Sequence, residues 1–162
     1  GETSKAIEYA EKALVIFRDL GYRAGVAEIL ASLGKCHSLL GDTSKAIGFY
    51  QEALAINLEI GNRRVEAQIL SNMGGLYSSI DDKNRAVDFY KKALVIYRNI
   101  NDARGEGNTL WKMSRALFNL GKREEAIKYA EEAKRIYLKL RSPISMRVAR
   151  TLSKWKTTKS SN

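Results

Sequence analysis

The sequence predicts an all-α fold, a solenoid of stacked antiparallel helix pairs, and three observations carry that prediction. The 162-residue chain repeats itself every 40 residues without insertion. Ala6, Ala46, Ala86 and Ala126 share one column, and Ala13, Ala53, Ala93 and Ala133 share another. Ile16, Ile56, Ile96 and Ile136 form a third, and Leu20, Ile60, Ile100 and Leu140 a fourth. A fixed period of this length describes an array in which each unit buries its apolar face only against its neighbours. Within each unit, apolar residues recur at three- and four-residue spacings, as on a helix with one wide apolar face. Gly21, Gly61 and Asn101 then close successive helices, as residues that tolerate the left-handed conformation beyond a helix end.

The elements follow in order. Residues 2–20 read as the second helix of a unit whose first is missing, since Gly1 aligns with Gly41 and Gly121. The chain is therefore expected to be a fragment of a longer protein. Three full units follow, at 23–60, 63–100 and 103–140, each with a first helix near 24–39, 64–79 or 104–119. At the middle of those helices stand Gly34, Gly74 and Ser114, small enough to let two helices approach closely. The second helices begin after Asp42 and Asp82, whose carboxylates can cap the first turn. Lys122 occupies that place in the third unit, so its second helix is expected to start less firmly. Ser142-Pro143 opens a last helix, 143–156, with Val148, Leu152 and Trp155 as its apolar stripe. It reads as a cap closing an array over residues 1–156. The basic tail at 157–162 has no apolar periodicity and is expected to be disordered, as Lys156 before it is.

Composition excludes several classes of protein. No apolar run approaches the ~20 residues of a membrane span, and no signal-peptide pattern opens the chain. The single cysteine, Cys36, cannot form an internal disulfide, which fits a reducing, cytoplasmic setting. The net charge of +10 is concentrated at one end. Lys134, Arg135, Lys139, Arg141, Arg147, Arg150, Lys154, Lys156 and Lys159 lie beyond residue 133 with no acid among them, while the array before them is near neutral. Such an end can attract nucleic acid, acidic lipid or acidic protein, or simply keep the array soluble.

With these residues in view, the chain resembles the tetratricopeptide repeats. The family's pattern of a large residue, Leu-Gly, Tyr, then Ala with an aromatic four residues later reads here as Leu30, Leu33-Gly34, His37, Ala46, Tyr50. The second unit gives Leu70, Met73-Gly74, Tyr77, Ala86, Tyr90, and the more degraded third gives Leu110, Met113-Ser114, Leu117, Ala126, Ala130. The period is longer than the usual 34 residues and the closing Pro is missing. In its 40-residue period the chain is similar to the longer-helix subclass of cell-polarity scaffolds and bacterial signalling arrays.

The resemblance implies that first helices line a concave groove for peptides. The residues it places there are Glu28, Ala31, Ser32, Lys35 and Leu39; then Arg64, Gln68, Ser71, Asn72, Gly75 and Ser79; then Arg104, Asn108, Trp111, Lys112, Arg115 and Asn119. Spacings of three and four put each set on one helix face independently of the family. The second set is small and polar, and Asn72 supplies both a donor and an acceptor. The third is aromatic and cationic, with Trp111 as the expected binding anchor and Arg104, Lys112 and Arg115 favouring an acidic or carboxylate-bearing segment. The same stripe is also compatible with a plain solvated face on which Trp111 is tucked under a neighbour. Only Asn72 and Lys112 match the family's five-residue carboxylate clamp, so a receptor for chaperone tails is not expected.

No catalytic machinery is legible. His37 is the only histidine, no phosphate-loop or dinucleotide motif is present, and Asp81-Asp82 reads as a turn followed by a cap. The sequence thus predicts a non-enzymatic interaction scaffold with no cofactor and no metal. Its partner would be a peptide or helix in the groove formed by Arg64, Gln68, Asn72, Gly75, Arg104, Asn108, Trp111, Lys112 and Arg115. The alternative is a basic C-terminal module docking on nucleic acid or an acidic membrane. The groove reading is preferred over nucleic acid, because the charge is not spread along the groove and no aromatic ladder accompanies it. Self-association is expected through the N-terminal helix, where Ala6, Ile7, Ala10 and Leu14 lack a cover.

Overall fold

The computed structural model describes residues 1–157. Among these, the chain forms α1 (Glu2–Asp19), α2 (Arg23–Leu39), α3 (Thr43–Ile60), α4 (Arg63–Ser79), α5 (Lys83–Asn99), α6 (Ala103–Asn119), α7 (Arg123–Lys139) and α8 (Ile144–Thr157). At each junction the chain reverses through one residue with positive φ: Gly21, Gly41, Gly61, Asp81, Asn101, Gly121 or Arg141. At most of them the N–H of the very next residue closes the helix by bonding back, as from Asp82 to the Tyr77 carbonyl at 2.9 Å. Asp42 and Asp82 cap α3 and α5 by accepting the N–H of Lys45 and Arg85. Asn62 and Asp102 do the same for α4 and α6, at Val65 and Gly105. Helix α7 has no side-chain cap after Lys122, but Glu124 and Glu125 in its first turn complement the helix dipole.

Packing explains the columns. Ala46, Ala86, Ala126, Ala53, Ala93 and Ala133 have no exposed surface, because each stands where two helices cross. The small residues at the middle of the first helices receive a ring from the paired second helix. A Cβ added at Gly34 would lie 2.8 Å from the Tyr50 ring, and one at Gly74 would lie 2.6 Å from that of Tyr90. In the third unit the ring is gone and the side chain appears: Ala130 stands in the tyrosine column and Ser114 in the glycine column, both fully buried. Volume is conserved in the pair rather than at either position, as close packing demands.

The first helices α2, α4 and α6 touch one another across units as well as touching their own partners. The second helices of neighbouring units are joined instead by long side chains, Arg18 to Glu52 at 2.8 Å and Arg98 to Glu132 at 3.1 Å. The array therefore curves with the first helices on its inner side.

Both ends depart in detail from the sequence expectation. On α1, Ala6 is exposed and Ile7 and Ala10 are half-buried, but Leu14 is buried against the core shared with α2. The uncovered apolar surface runs instead through Tyr9, Ile16 and Leu20. At the other end, α8 continues through Lys156 and Thr157, which the sequence reading assigned to a disordered tail. Lys156 bonds Glu131 at 2.6 Å and the Thr157 hydroxyl bonds back to the Ser153 carbonyl, so both belong to the packed helix. The remainder of that expected tail, 158–162, lies outside the described residues.

Candidate functional site: an inner groove

Clefts open along the inner wall between successive first-position helices. The one between α2 and α4, about 340 Å³, is lined by Glu28, Lys35, Val65, Gln68, Asn72 and neighbours. The one between α4 and α6 is the larger, about 500 Å³. A third, about 410 Å³, lies between α6 and the turn that leads from α7 into α8. Gln68 and Asn72 border the first two and Arg104 and Asn108 the last two, so the clefts form one continuous groove.

Six of the nine residues named for the peptide site meet in the central cleft, Arg64, Gln68 and Asn72 from α4 and Arg104, Asn108 and Lys112 from α6, with Ser71 of the wider groove set beside them. Four-residue spacing brings each trio to one helix face. The other three lie outside it. Gly75 faces the far end of Tyr90, whose hydroxyl would be 3.9 Å from a Cβ there. The Arg115 charge also acts on Tyr90, whose hydroxyl burial pushes up to about 12 and Arg115 pulls back.

Trp111 stands apart from the central cleft. Its column faces the next first-position helix: Ala31 and Ser71 are buried in such seams, and Ser71 accepts a hydrogen bond from Thr109 of α6 at 3.2 Å. In the last seam Trp111 meets α8, its ring centroid 5.9 Å from that of Trp155. Trp155 in turn stacks on Phe118 at 4.3 Å with planes 7° apart. The indole expected to anchor a ligand is engaged in holding the cap.

Tyr97, Asp102, Gly105 and Thr109 also line the central cleft, and sequence reasoning had not placed them there. Tyr97 comes from a second helix and reaches the groove floor because Gly105 makes room: a Cβ at Gly105 would lie 2.3 Å from the tyrosine ring. A signal for this existed. Phe17, Asn57, Tyr97 and Tyr137 share one column, and Gly25, Val65, Gly105 and Ser145 share another eight residues on, so each glycine of the second column has a large ring in the first. Where Asn57 replaces the ring, its amide turns back to the Ala53 carbonyl at 2.9 Å and Val65 fills the space.

The central cleft is cationic. Asp102 is the one carboxylate among its lining residues, and it is committed to the Gly105 N–H at 2.9 Å and to Arg64, 3.6 Å away. Burial pushes the Tyr97 hydroxyl up to about 12, with Asp102 adding to the shift and Arg64 opposing it. Lys112 keeps its side chain accessible but sits in a concave wall. Loss of hydration there, with the Lys35 charge second, holds its ammonium below the usual lysine range.

His37, the only histidine, is buried and stacks on Phe49 at 5.3 Å, as its column-mate Tyr77 stacks on Phe89 at 5.2 Å. Its place is that of a packing ring. No helix among the described residues is long and apolar enough to cross a membrane.

The family model for the tetratricopeptide repeat matches residues 1–59 and 65–139. The chain belongs to the tetratricopeptide repeat family. Among solved structures it is similar to BtubC (BKLC) from P. vanneervenii, with 28% identity over 87% of this chain and 59% of that one, at a TM-score of 0.77. It also resembles a Signal Transduction ATPase with Numerous Domains protein with a tetratricopeptide repeat sensor from Pyrococcus horikoshii. That match has 22% identity, covers 99% of this chain and 25% of the other, and gives a TM-score of 0.84. A Rap protein solved in complex with Competence and Sporulation Factor shares the fold at 16% identity, covering 95% of this chain and 44% of that one, TM-score 0.75. The chain thus spans from a quarter to about three fifths of these relatives. No curated protein sequence matches it.

Proposed function

We propose that the array is a protein-interaction scaffold of the cytoplasm that holds a peptide or helix of a partner in its inner groove, centred on the cleft between α4 and α6. The observation that carries this reading is the convergence of Arg64, Gln68, Asn72, Arg104, Asn108 and Lys112 around one open cleft. Arg and Lys engage carboxylates through charge-assisted hydrogen bonds, and the amides of Gln68 and Asn72 can serve a peptide main chain. An acidic segment is the ligand that suits this set. The fold likeness to a Rap protein that carries Competence and Sporulation Factor supports a ligand-holding role.

The test is titration of acidic peptides and duplex DNA at two salt concentrations, with Asn72→Ala, Lys112→Ala and Arg150→Ala. The groove reading expects a several-fold loss of peptide affinity in the first two variants and little change in the third, since Arg150 lies on α8 outside the cleft. Sequence-indifferent binding that falls steeply with salt and tracks Arg150 would instead support electrostatic docking of the basic end.

A further inference from the structure

The hydrogen-bonding capacity of the central cleft is more one-sided than its charge alone indicates. Tyr137, from α7 and almost fully buried, donates its hydroxyl proton to Asn108 Oδ1 at 2.8 Å. Burial raises the Tyr137 hydroxyl above the ordinary tyrosine range, so it keeps that proton at neutral pH. An amide whose oxygen is held in this way turns its NH2 outward. Asn108 therefore meets the cleft as a donor. The Asp102 carboxylate is engaged by the Gly105 N–H and paired with Arg64, and the Ser71 oxygen accepts from Thr109. The α6 wall thus offers the Asn108 NH2, the Arg104 guanidinium and the Lys112 ammonium.

Resting on the groove reading above, we infer that Tyr137 is a positioning residue: by holding the Asn108 carbonyl it turns the α6 wall toward donors, and so favours a partner segment bearing an oxyanion. A carboxylate and a phosphoryl group share that chemistry, each presenting acceptors without a competing N–H. A neutral amide at the same place brings its own donors, which meet the three outward donors of Arg104, Asn108 and Lys112. Tyr137 touches no ligand and acts through Asn108. Its counterpart in the preceding unit, Tyr97, forms the floor of the cleft and leaves Gln68, the column-mate of Asn108, to present either end of its amide.

The experiment titrates nitrogen-15-labelled protein with three short peptides of one sequence, carrying glutamate, phosphoserine or glutamine at the central position. It compares the unaltered chain with Tyr137→Phe, which keeps the ring and removes the hydroxyl. The glutamate or phosphoserine peptide is expected to shift the Asn108 side-chain NH2 signals, and the glutamine peptide to bind several-fold more weakly. In Tyr137→Phe the preference for oxyanion over glutamine should fall about fivefold, the worth of one hydrogen bond, while the helical content is unchanged. Comparing the first two peptides assigns the oxyanion to a side-chain carboxylate or to a phosphoryl group. If Tyr137→Phe retains the full preference, or if all three peptides bind the cleft equally, the inference is overturned and the groove reading survives. If no peptide moves any signal of α4 or α6, both fail.

Discussion

The clefts on either side of α4 are built from the same columns, and they differ in what lies beneath them. Between α4 and α6, Gly105 yields its space to Tyr97, whose ring makes a floor under a cavity of about 500 Å³. Between α2 and α4, Asn57 bonds its own helix, Val65 occupies the wall, and about 340 Å³ is left. Their charges diverge as well. The α2–α4 cleft balances Lys35 against Glu28, whereas the central one gathers Arg64, Arg104 and Lys112 against a committed Asp102. A repeat can thus hold its outer architecture constant while compensating pairs on its inner face set the width and sign of each cleft.

The most disruptive way to break that comparison is Gly105→Val, which copies the α2–α4 wall without its floor. The added Cβ collides with the Tyr97 ring, and the cost should lie at the upper end of the ~1–3 kcal/mol typical of overpacking, read from chemical denaturation. Adding Tyr97→Asn should restore much of the loss. A double variant as unstable as the sum of its parts would show that the two positions are not coupled.

Ala93→Leu is expected to cost ~1–3 kcal/mol as well, because Ala93 has no exposed surface where helices cross. A change at exposed Lys92 should cost far less, and equal denaturation midpoints would contradict the packing described for the alanine columns. The smallest effect concerns a junction. Arg141 holds a φ of 51°, a conformation the other units assign mostly to glycine. Arg141→Gly should therefore stabilise the array by about 0.5–1 kcal/mol, and a loss of stability would show that the Arg141 side chain itself contributes there.

The framework of the fold was legible because it depends on local rules repeated in register: alanine where helices cross, glycine or asparagine at turns, aspartate before a second helix. The trios Arg64-Gln68-Asn72 and Arg104-Asn108-Lys112 were legible for the same reason, since a four-residue spacing fixes a helix face. What escaped depends on the neighbouring element. Trp111 looked like an open anchor because nothing in its own helix shows that Trp155 of α8 will stack near it. Tyr97 belongs to a second helix, α5, and only its pairing with Gly105 reveals that it reaches the groove. The expected tail began one or two residues too soon because an ion pair from Lys156 to Glu131 has no periodicity to betray it.

Lys112 adds a pH dependence. Its ammonium is held below the usual lysine range by lost hydration and by Lys35, and it must be charged to receive an oxyanion. Affinity for a glutamate-bearing peptide should decline as pH rises through that lowered value, before ordinary lysines titrate, and Lys112→Arg should move the decline to higher pH. A profile identical in Lys112→Arg would remove Lys112 from the site.

The comparison of the two clefts is tested most directly by measuring a glutamate-rich peptide on the folded double variant Tyr97→Asn/Gly105→Val. That variant gives the central cleft the floor of its neighbour while leaving Arg64, Asn72, Arg104, Asn108 and Lys112 in place. The account predicts that it retains the helical content of the unaltered chain and loses at least about tenfold in affinity, or ~1.4 kcal/mol. A folded double variant that binds the peptide as tightly as the unaltered chain would contradict it.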